Sequence, residues 1–451
     1  MFFTNLTRRR EGKILFTFIL SIPLIIGGML LIDFNKDFVE YPTNLSVQNK
    51  EKHSAPVQKW IKLRPFKNNT EDHIRINLPE NKISVYKNSK KQASFNILTK
   101  GDPQKWGGTP AGEYKIQAKH KSAFSAVSSV FMPWAIKFYG KYYIHGQPYY
   151  YTGLKLSSDF SGGCLRLSDK EAKSLYSMTN VGMPVLVITK KEKDYSYTRE
   201  NIEQHLPISA KSYLVADLES GFIFDSKNIS KVLPIASITK LMTATIIAEQ
   251  IDLRKTILVK KYMLDKWGTR EGLKAGERVS LMDLTYRSLA ESSNNAASVL
   301  GYFLGEKRTV ELMNEKAGAI FMENTNFVGS CGLKNKNIST VKDLFYLAHY
   351  ILNNRTPLLE ISRGKEVKNF GKLNLDLNKL WNKNIFIEDN TFLGGKTGFT
   401  DEASNTGLFI FQFEDRKIAI IILGSDNLKW DTQKLYIWLK DNYFKKNWNL
   451  V

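Results

Sequence analysis

Ser237 and Lys240 stand three residues apart in Pro-Ile-Ala-Ser-Ile-Thr-Lys, at the start of a stretch whose apolar residues keep helical spacing to Gln250. On a helix this spacing stacks the two side chains on one face, an amine beside a hydroxyl. A serine hydroxyl is a weak nucleophile until a base takes its proton, and an amine can be that base when burial or a nearby cation lowers its pKa. Ser292 and Asn294 follow between two helical patterns, 281–289 and 295–303, where a hydroxyl and an amide can relay a proton and hold a substrate amide. Lys396-Thr397-Gly398 comes after the run Phe392–Gly395 and reads as strand. Lys396 and Thr397 suit a carboxylate, Lys396 adds the second cation, and Gly395 and Gly398 admit a substrate backbone. The N–H groups of Ser237 and Phe399 are candidate oxyanion donors. Ser-x-x-Lys alone says little, since Ser84/Lys87, Ser339/Lys342 and Ser362/Lys365 repeat it. Only the Ser237 copy joins a helical pattern to the other two elements in order.

A second constellation precedes the first. His145 ends the apolar stretch Tyr142–Ile144, and Cys164 follows in Ser-Gly-Gly-Cys-Leu-Arg. Imidazole can take a thiol proton. Gly162 and Gly163 permit a sharp turn whose N–H groups can face an oxyanion, and Arg166 can hold an anionic group. A lone histidine or cysteine is more often structural, but a cysteine between Gly-Gly and Arg is an odd core residue. The six histidines are scattered without metal-ligand spacing, and no phosphate-binding glycine loop occurs. Neither a metal nor a cofactor is expected.

The elements that must position these groups fall into blocks. Residues 1–13 are basic, and Ile14–Ile32 runs uncharged for 19 residues, about the length that crosses a bilayer. Arg8, Arg9, Arg10 and Lys13 before it, with Asp33 and Asp37 after it, predict a cytoplasmic tail, a single membrane anchor and an outward-facing remainder. A cleaved signal peptide is the alternative, and no small-x-small cleavage site follows the run. Residues 33–71 read as a spacer, 72–190 as a small mainly-β domain, 191–209 as a linker, and 210–451 as an α+β domain. In the first domain strands are expected at His73–Asn77, Lys82–Lys87, Ala93–Thr99, Glu113–Ala118 and Pro184–Thr189, with a helix Asp169–Met178 capped by Ser168 and Glu171. In the second, strands near each end enclose a helical middle, which implies a sheet closed by distant segments.

The chain of 451 residues carries a net charge of +21, densest over residues 67–190 at +10. Facing outward it would meet anionic wall polymer or lipid headgroups, so no nucleic-acid partner is expected. Its two cysteines, Cys164 and Cys331, lie in separate predicted domains. That argues against a disulfide, which needs close approach.

The ordered serine motifs are those of the serine penicillin-recognising enzymes. Together with Val215–Gly221 and Met313–Leu333, the stretches P-I-A-S-I-T-K-L-M-T, E-S-S-N-N-A-A and G-K-T-G-F-T resemble D-alanyl-D-alanine carboxypeptidases of the low-molecular-mass penicillin-binding class, over about residues 208–428. The resemblance implies a β-lactamase/transpeptidase-like fold, removal of terminal D-Ala from peptidoglycan pentapeptides through a serine acyl-enzyme, and inhibition by β-lactams. It makes Ser237 the nucleophile, Lys240 its base, Ser292 and Asn294 the second element, and Lys396, Thr397 and Gly398 the third. Asn295 and the Gly329–Leu333 loop depart from the family pattern, and no counterpart of the C-terminal β-domain that many members carry is expected.

Gly107–Tyr114 (G-G-T-P-A-G-E-Y), Tyr143–Gly146 (Y-I-H-G) and Ser161–Ser168 (S-G-G-C-L-R-L-S) resemble the catalytic domain of YkuD-type L,D-transpeptidases. That resemblance implies a Cys164 thioester formed on tetrapeptide stems, with His145 as base, and transfer to an amine of another stem as a 3–3 cross-link. Gly162 stands where the family commonly has histidine. The expectation is a bifunctional wall enzyme. Its rivals are a serine enzyme with a passive wall-binding domain, and a β-lactamase or β-lactam sensor.

Overall fold

The computed structural model describes residues 60–62, 71–104, 106–126, 128–157, 161–189, 197, 207–264, 272–367 and 373–444. The expected anchor Ile14–Ile32 and most of the spacer lie outside these residues. Among the described residues no helix is long and apolar enough to cross a membrane. All the described residues belong to one compact unit, which spans Val57–Val451.

The first domain contains β1 (His73–Asn77), β2 (Lys82–Lys87), β3 (Lys90–Asn96), β4 (Gly112–Lys115), β5 (Ala118–Ser125), β6 (Val130–Tyr139), β7 (Tyr142–His145), β8 (Leu165–Arg166), α1 (Asp169–Met178) and β9 (Pro184–Ile188). They form two sheets, β3-β2-β1-β9-β4 and β5-β6-β7-β8. The single strand expected at Glu113–Ala118 is broken. The chain changes sheets between β4 and β5, where Ile116 donates to Met183 O and Gln117 to Lys137 O. The final strand does not lie at an edge. It runs parallel to β1 in mid-sheet, and its Val185 and Val187 are buried with Ile74, Ile76 and Leu175.

Helix α1 starts where its cap dictates. Ser168 Oγ accepts from Glu171 N at 3.3 Å and donates to the Glu171 carboxylate at 2.7 Å.

The second domain contains β10 (Ser212–Asp217), β11 (Ile223–Lys227), β12 (Leu233–Pro234), α2 (Thr239–Gln250), β13 (Thr256–Leu258), β14 (Arg278–Ser280), α3 (Leu281–Leu289), α4 (Asn294–Phe303), α5 (Glu306–Ala319), β15 (Ile338–Ser339), α6 (Val341–Asn354), α7 (Pro357–Ser362), β16 (Phe392–Thr400), β17 (Ser404–Phe413), β18 (Arg416–Ser425) and α8 (Leu428–Tyr443). The main sheet runs β11-β10-β18-β17-β16, so strands from both ends of the domain pair as expected. Alternate residues of β18 enter different cores. Ile418, Ile420 and Ile422 join the aromatic layer under α8, while Ala419, Ile421 and Leu423 face the helical layer. Burial on both faces is why this strand reads as an unbroken apolar run.

Parts of the expected spacer and linker pack on this domain. Ile61 N donates to Gly221 O at 2.8 Å, and Tyr197 OH donates to Asp217 at 3.0 Å.

Candidate active sites

Ser237 sits in a 3-10 turn, Ala236–Ile238, that leads into α2. Ala236 there has φ of 45°, which brings the serine to the mouth of the helix. Lys240 is buried one turn on, and its Nζ lies 2.7 Å from Ser237 Oγ, 2.7 Å from Asn294 Oδ1 and 2.6 Å from Cys331 O. The last two are oxygens that can only accept. A neutral amine has two N–H bonds, and these acceptors engage both. In the neutral amine this leaves the lone pair for the Ser237 hydroxyl, the arrangement a base needs, and in the ammonium form Nζ donates to Ser237 Oγ.

Asn294 is the first residue of α4 rather than a loop residue, and Ser293 caps that helix by accepting from Ala296 N at 2.8 Å. Ser292, at φ 59°, turns its hydroxyl to Lys396 Nζ at 2.8 Å. Lys396 also donates to Thr397 O at 2.7 Å. Burial above all, then the charges of Lys240 and Lys383, hold the Lys396 ammonium well below the usual lysine range. Thr397 Oγ1 reaches Lys383 O at 3.4 Å, and the ring of Phe399 is exposed. Gly398 passes so close to the nucleophile that a Cβ on it would lie 2.8 Å from Ser237 N and 2.6 Å from Thr406 Oγ1. The seven residues expected from the three serine motifs therefore meet, with the Phe399 backbone directly beyond. Sequence reasoning missed the Cys331 carbonyl and the Lys383 charge. Neither carries a local signal, because both are brought in from distant loops.

In the first domain β7 and β8 are parallel neighbours, with Ile144 beside Leu165 and His145 beside Arg166. Cys164 immediately precedes β8. Its sulfur accepts from Tyr143 N at 3.4 Å and donates to Lys141 O at 3.7 Å. Tyr143 and His145 are two residues apart on a strand and share a face, which places imidazole and thiol on one side of the sheet. Nδ1 of His145 lies 2.6 Å from Gly146 O. A carbonyl only accepts, so Nδ1 carries the proton and Nε2 keeps a lone pair. Burial lowers the His145 pKa to about 4, and burial raises the Cys164 thiol to about 11. The resting pair is neutral imidazole and neutral thiol.

Gly163 has φ of 109°, and a Cβ there would meet the Tyr142 ring at 2.3 Å, so the turn before Cys164 requires glycine. Gly163 N donates to Ser161 Oγ at 3.2 Å, Gly163 O accepts from Thr109 Oγ1 at 2.9 Å, and Arg166 is buried beside them. The residue at 162, glycine in place of histidine, meets nothing within 4 Å of where a Cβ would be. Both cysteines are free thiols.

Residues 199–427 match the family model described as D-alanyl-D-alanine carboxypeptidase. The chain belongs to the D-alanyl-D-alanine carboxypeptidase family. Residues 71–187 match the model of the L,D-transpeptidase catalytic domain. The protein thus joins a penicillin-binding-type D-Ala-D-Ala peptidase domain to an L,D-transpeptidase domain, both of families that act on peptidoglycan. Among relatives, the D-alanyl-D-alanine endopeptidase of Haemophilus influenzae is 31% identical over 228 residues, 48% of this chain and 76% of that one. The D-alanyl-D-alanine endopeptidase of Pseudomonas aeruginosa is 29% identical, covering 48% of this chain and 72% of that one. The crystal structure of Penicillin-Binding Protein D2 from Listeria monocytogenes in its cefotaxime-bound form is 27% identical, covers 53% of this chain and 98% of that one, and has a TM-score of 0.45.

Proposed function

We propose that this protein is a bifunctional peptidoglycan enzyme. Its serine domain trims D-Ala from pentapeptide stems, and its cysteine domain joins the resulting tetrapeptides to the amine of another stem. The observation that carries the reading is Lys240 Nζ, held by Asn294 Oδ1 and Cys331 O so that its third direction meets Ser237 Oγ.

In the serine head neutral Lys240 takes the Ser237 proton as Oγ bonds to the carbonyl carbon before the terminal D-Ala. The N–H groups of Ser237 and Phe399 receive the oxyanion, while Lys396 and Thr397 hold the stem's terminal carboxylate. An arriving carboxylate favours the charged form of Lys396. Collapse breaks the C–N bond. The proton taken by Lys240 is relayed through the Ser292 hydroxyl, which is hydrogen-bonded to Lys396, to the leaving D-Ala amine. Water then adds to the acyl carbonyl, the bond to Ser237 Oγ breaks, and a water proton returns to Oγ. In the cysteine head His145 Nε2 takes the thiol proton while sulfur bonds to the carbonyl of the third stem residue. The proton leaves on the departing D-Ala amine, and a thioester remains. Gly163 supports the oxyanion turn, and Arg166 holds an anionic group of the stem. Peptidoglycan stems are the substrates and β-lactams the acylating inhibitors of Ser237. Ile14–Ile32 would anchor the chain in the cytoplasmic membrane with both heads outward.

The test is the full chain in detergent, incubated with a disaccharide-pentapeptide and followed by mass spectrometry, beside Ser237→Ala and Cys164→Ala. Loss of one Ala that requires Ser237, then dimers that require Cys164, is the expected outcome. No change in the pentapeptide would overturn the peptidase reading and favour β-lactam hydrolysis or sensing. The names of the Haemophilus and Pseudomonas relatives favour a second reading of the serine head, cleavage of the D-Ala bond inside a cross-link. Release of monomers from purified cross-linked dimers would distinguish it.

A further inference from the structure

The cleft that holds Cys164 is not made by its own domain alone. It is a cavity of about 950 Å³ lined by His145, Cys164 and Arg166, and the rest of its lining includes Ala248, Ile251, Thr356, Pro357 and Glu360 of the serine domain. Two elements of the serine head supply that wall. Helix α2 carries Lys240 near its start, and its far end reaches the cleft. Helix α7 opens the cleft wall with Pro357, and its Ser362 Oγ accepts from Gly395 N beside the Lys-Thr-Gly strand at 3.0 Å. From Ser237 to Ile251 the rise of a helix gives roughly 20 Å between the nucleophilic serine and this wall of the cleft.

The wall is fixed in place. The Lys141 carbonyl accepts from the Cys164 thiol, and the Lys141 ammonium caps the end of α2 through Ala248 O at 3.3 Å and Ile251 O at 3.4 Å. Arg355, between α6 and α7, donates to Gly108 O and to Tyr142 OH, each at 2.7 Å. Tyr142 is the ring that lies against Gly163. Behind these contacts Glu249 pairs with Lys316 at 2.8 Å and with Arg355 at 3.0 Å, all three side chains fully buried.

The two sides of the cleft differ in charge. The cysteine-domain side brings Arg166. The serine-domain side brings the carboxylate of Glu360, 40% exposed and 3.6 Å from Arg363, which is too long for a hydrogen bond. Asp252, Arg254 and Glu366 also line the cleft: Asp252 and Arg254 pair with each other at 2.5 Å, and the exposed Glu366 adds a second carboxylate on the same side as Glu360. We propose that the serine domain forms the acceptor subsite of the cysteine head, with Glu360 holding the side-chain ammonium of the incoming stem peptide. This rests on the transpeptidase reading above. The bound ammonium loses one proton to water, and the amine attacks the thioester carbonyl. The C–N bond forms, the C–S bond breaks, and the second amine proton passes through His145 to the sulfur.

The experiment uses the full chain and separates the two half-reactions. Thioester formation from a tetrapeptide is read as the Cys164 adduct by mass spectrometry, and transfer is read as dimer formation against acceptor concentration. Glu360→Gln should raise the acceptor KM about tenfold, the scale of one lost charge-assisted contact, and Glu360→Lys should raise it further. The rate of thioester formation and the rate of penicillin acylation at Ser237 should not change. Glu360→Asp should recover part of the acceptor affinity. An acceptor stem with its side-chain amine acetylated should compete about tenfold less well than the free amine in wild type, and equally in Glu360→Gln. If thioester forms and Glu360→Lys leaves the acceptor KM unchanged, the acceptor subsite is elsewhere and the inference is overturned. If the wild-type chain forms no thioester at all, the transpeptidase reading falls and takes this inference with it.

Discussion

Gly398→Ala tests the serine site at its tightest point. A Cβ at this position would sit 2.8 Å from Ser237 N and 2.6 Å from Thr406 Oγ1. Ordinary contacts to these atoms begin near ~3.4 Å, so the strand must retreat from the nucleophile by about 0.6–0.8 Å. Thr406 cannot absorb the overlap, because its Oγ1 donates to Ile235 O at 3.2 Å within the same buried layer. Retreat of β16 moves the Phe399 N–H away from the oxyanion position and Lys396 away from Ser292. Misplacement on the scale of 1 Å costs about 10²-fold, and loss of one oxyanion donor costs about 10²–10³-fold. Acylation of Ser237 by a fluorescent penicillin, followed by stopped flow, should therefore slow by at least about 10²-fold. The melting temperature should fall by only a few degrees, since overpacking costs about 1–3 kcal/mol. A variant that folds and acylates at the wild-type rate would refute the close approach of this strand to Ser237.

Three further outcomes follow from the geometry. With the Cys164 thiol raised to about 11, the resting enzyme should react with iodoacetamide about tenfold more slowly at pH 7 than an unperturbed thiol, and faster at each higher pH; a rapid rate that levels off below pH 8 would mean a preformed thiolate. His145 has a folded pKa near 4, below its ordinary value near ~6.5. Its contribution of about 3 kcal/mol is present above pH 6.5 and lost as pH falls towards 4, so urea unfolding should show a loss of stability over this window that His145→Gln lacks. Burial alone would raise the Glu249 carboxyl, but Lys316 and Arg355 hold it below its ordinary value. Glu249→Gln should strip a buried cation pair of its counter-charge and cost about 3–5 kcal/mol, read as a lowered urea midpoint, and an unchanged midpoint would remove the cluster from the stability of the unit.

What the sequence by itself determined is local. Ser237 and Lys240 meet because a helix brings i and i+3 together, and α1 begins and ends where read because Ser168 caps it and its apolar residues keep one face. The ordered motifs also named the partners of that helix, since Ser292 sits at the turn and Lys396 on the strand that were read, while Asn294 opens helix α4 one residue before its expected start. The tertiary structure decided everything that depends on distant segments. Strand β5 escaped because half-buried Lys119 and exposed His120, Lys121 and Ser122 give no apolar alternation to read. The middle position of β9 escaped because pairing partners are chosen by the folded sheet and not by the strand. The Cys331 carbonyl that orients Lys240, and the Lys383 charge that acts on Lys396, are contributed from about ninety and thirteen residues away respectively along the chain, and neither a carbonyl nor an ordinary lysine marks its sequence. Glu249, Lys316 and Arg355 look like the solvated faces of helices, yet they are buried together between the two heads, where only mutual pairing makes three charges tolerable in a dry interior. The sequence therefore names two sites and their chemistry, while the tertiary structure makes one cleft out of two domains.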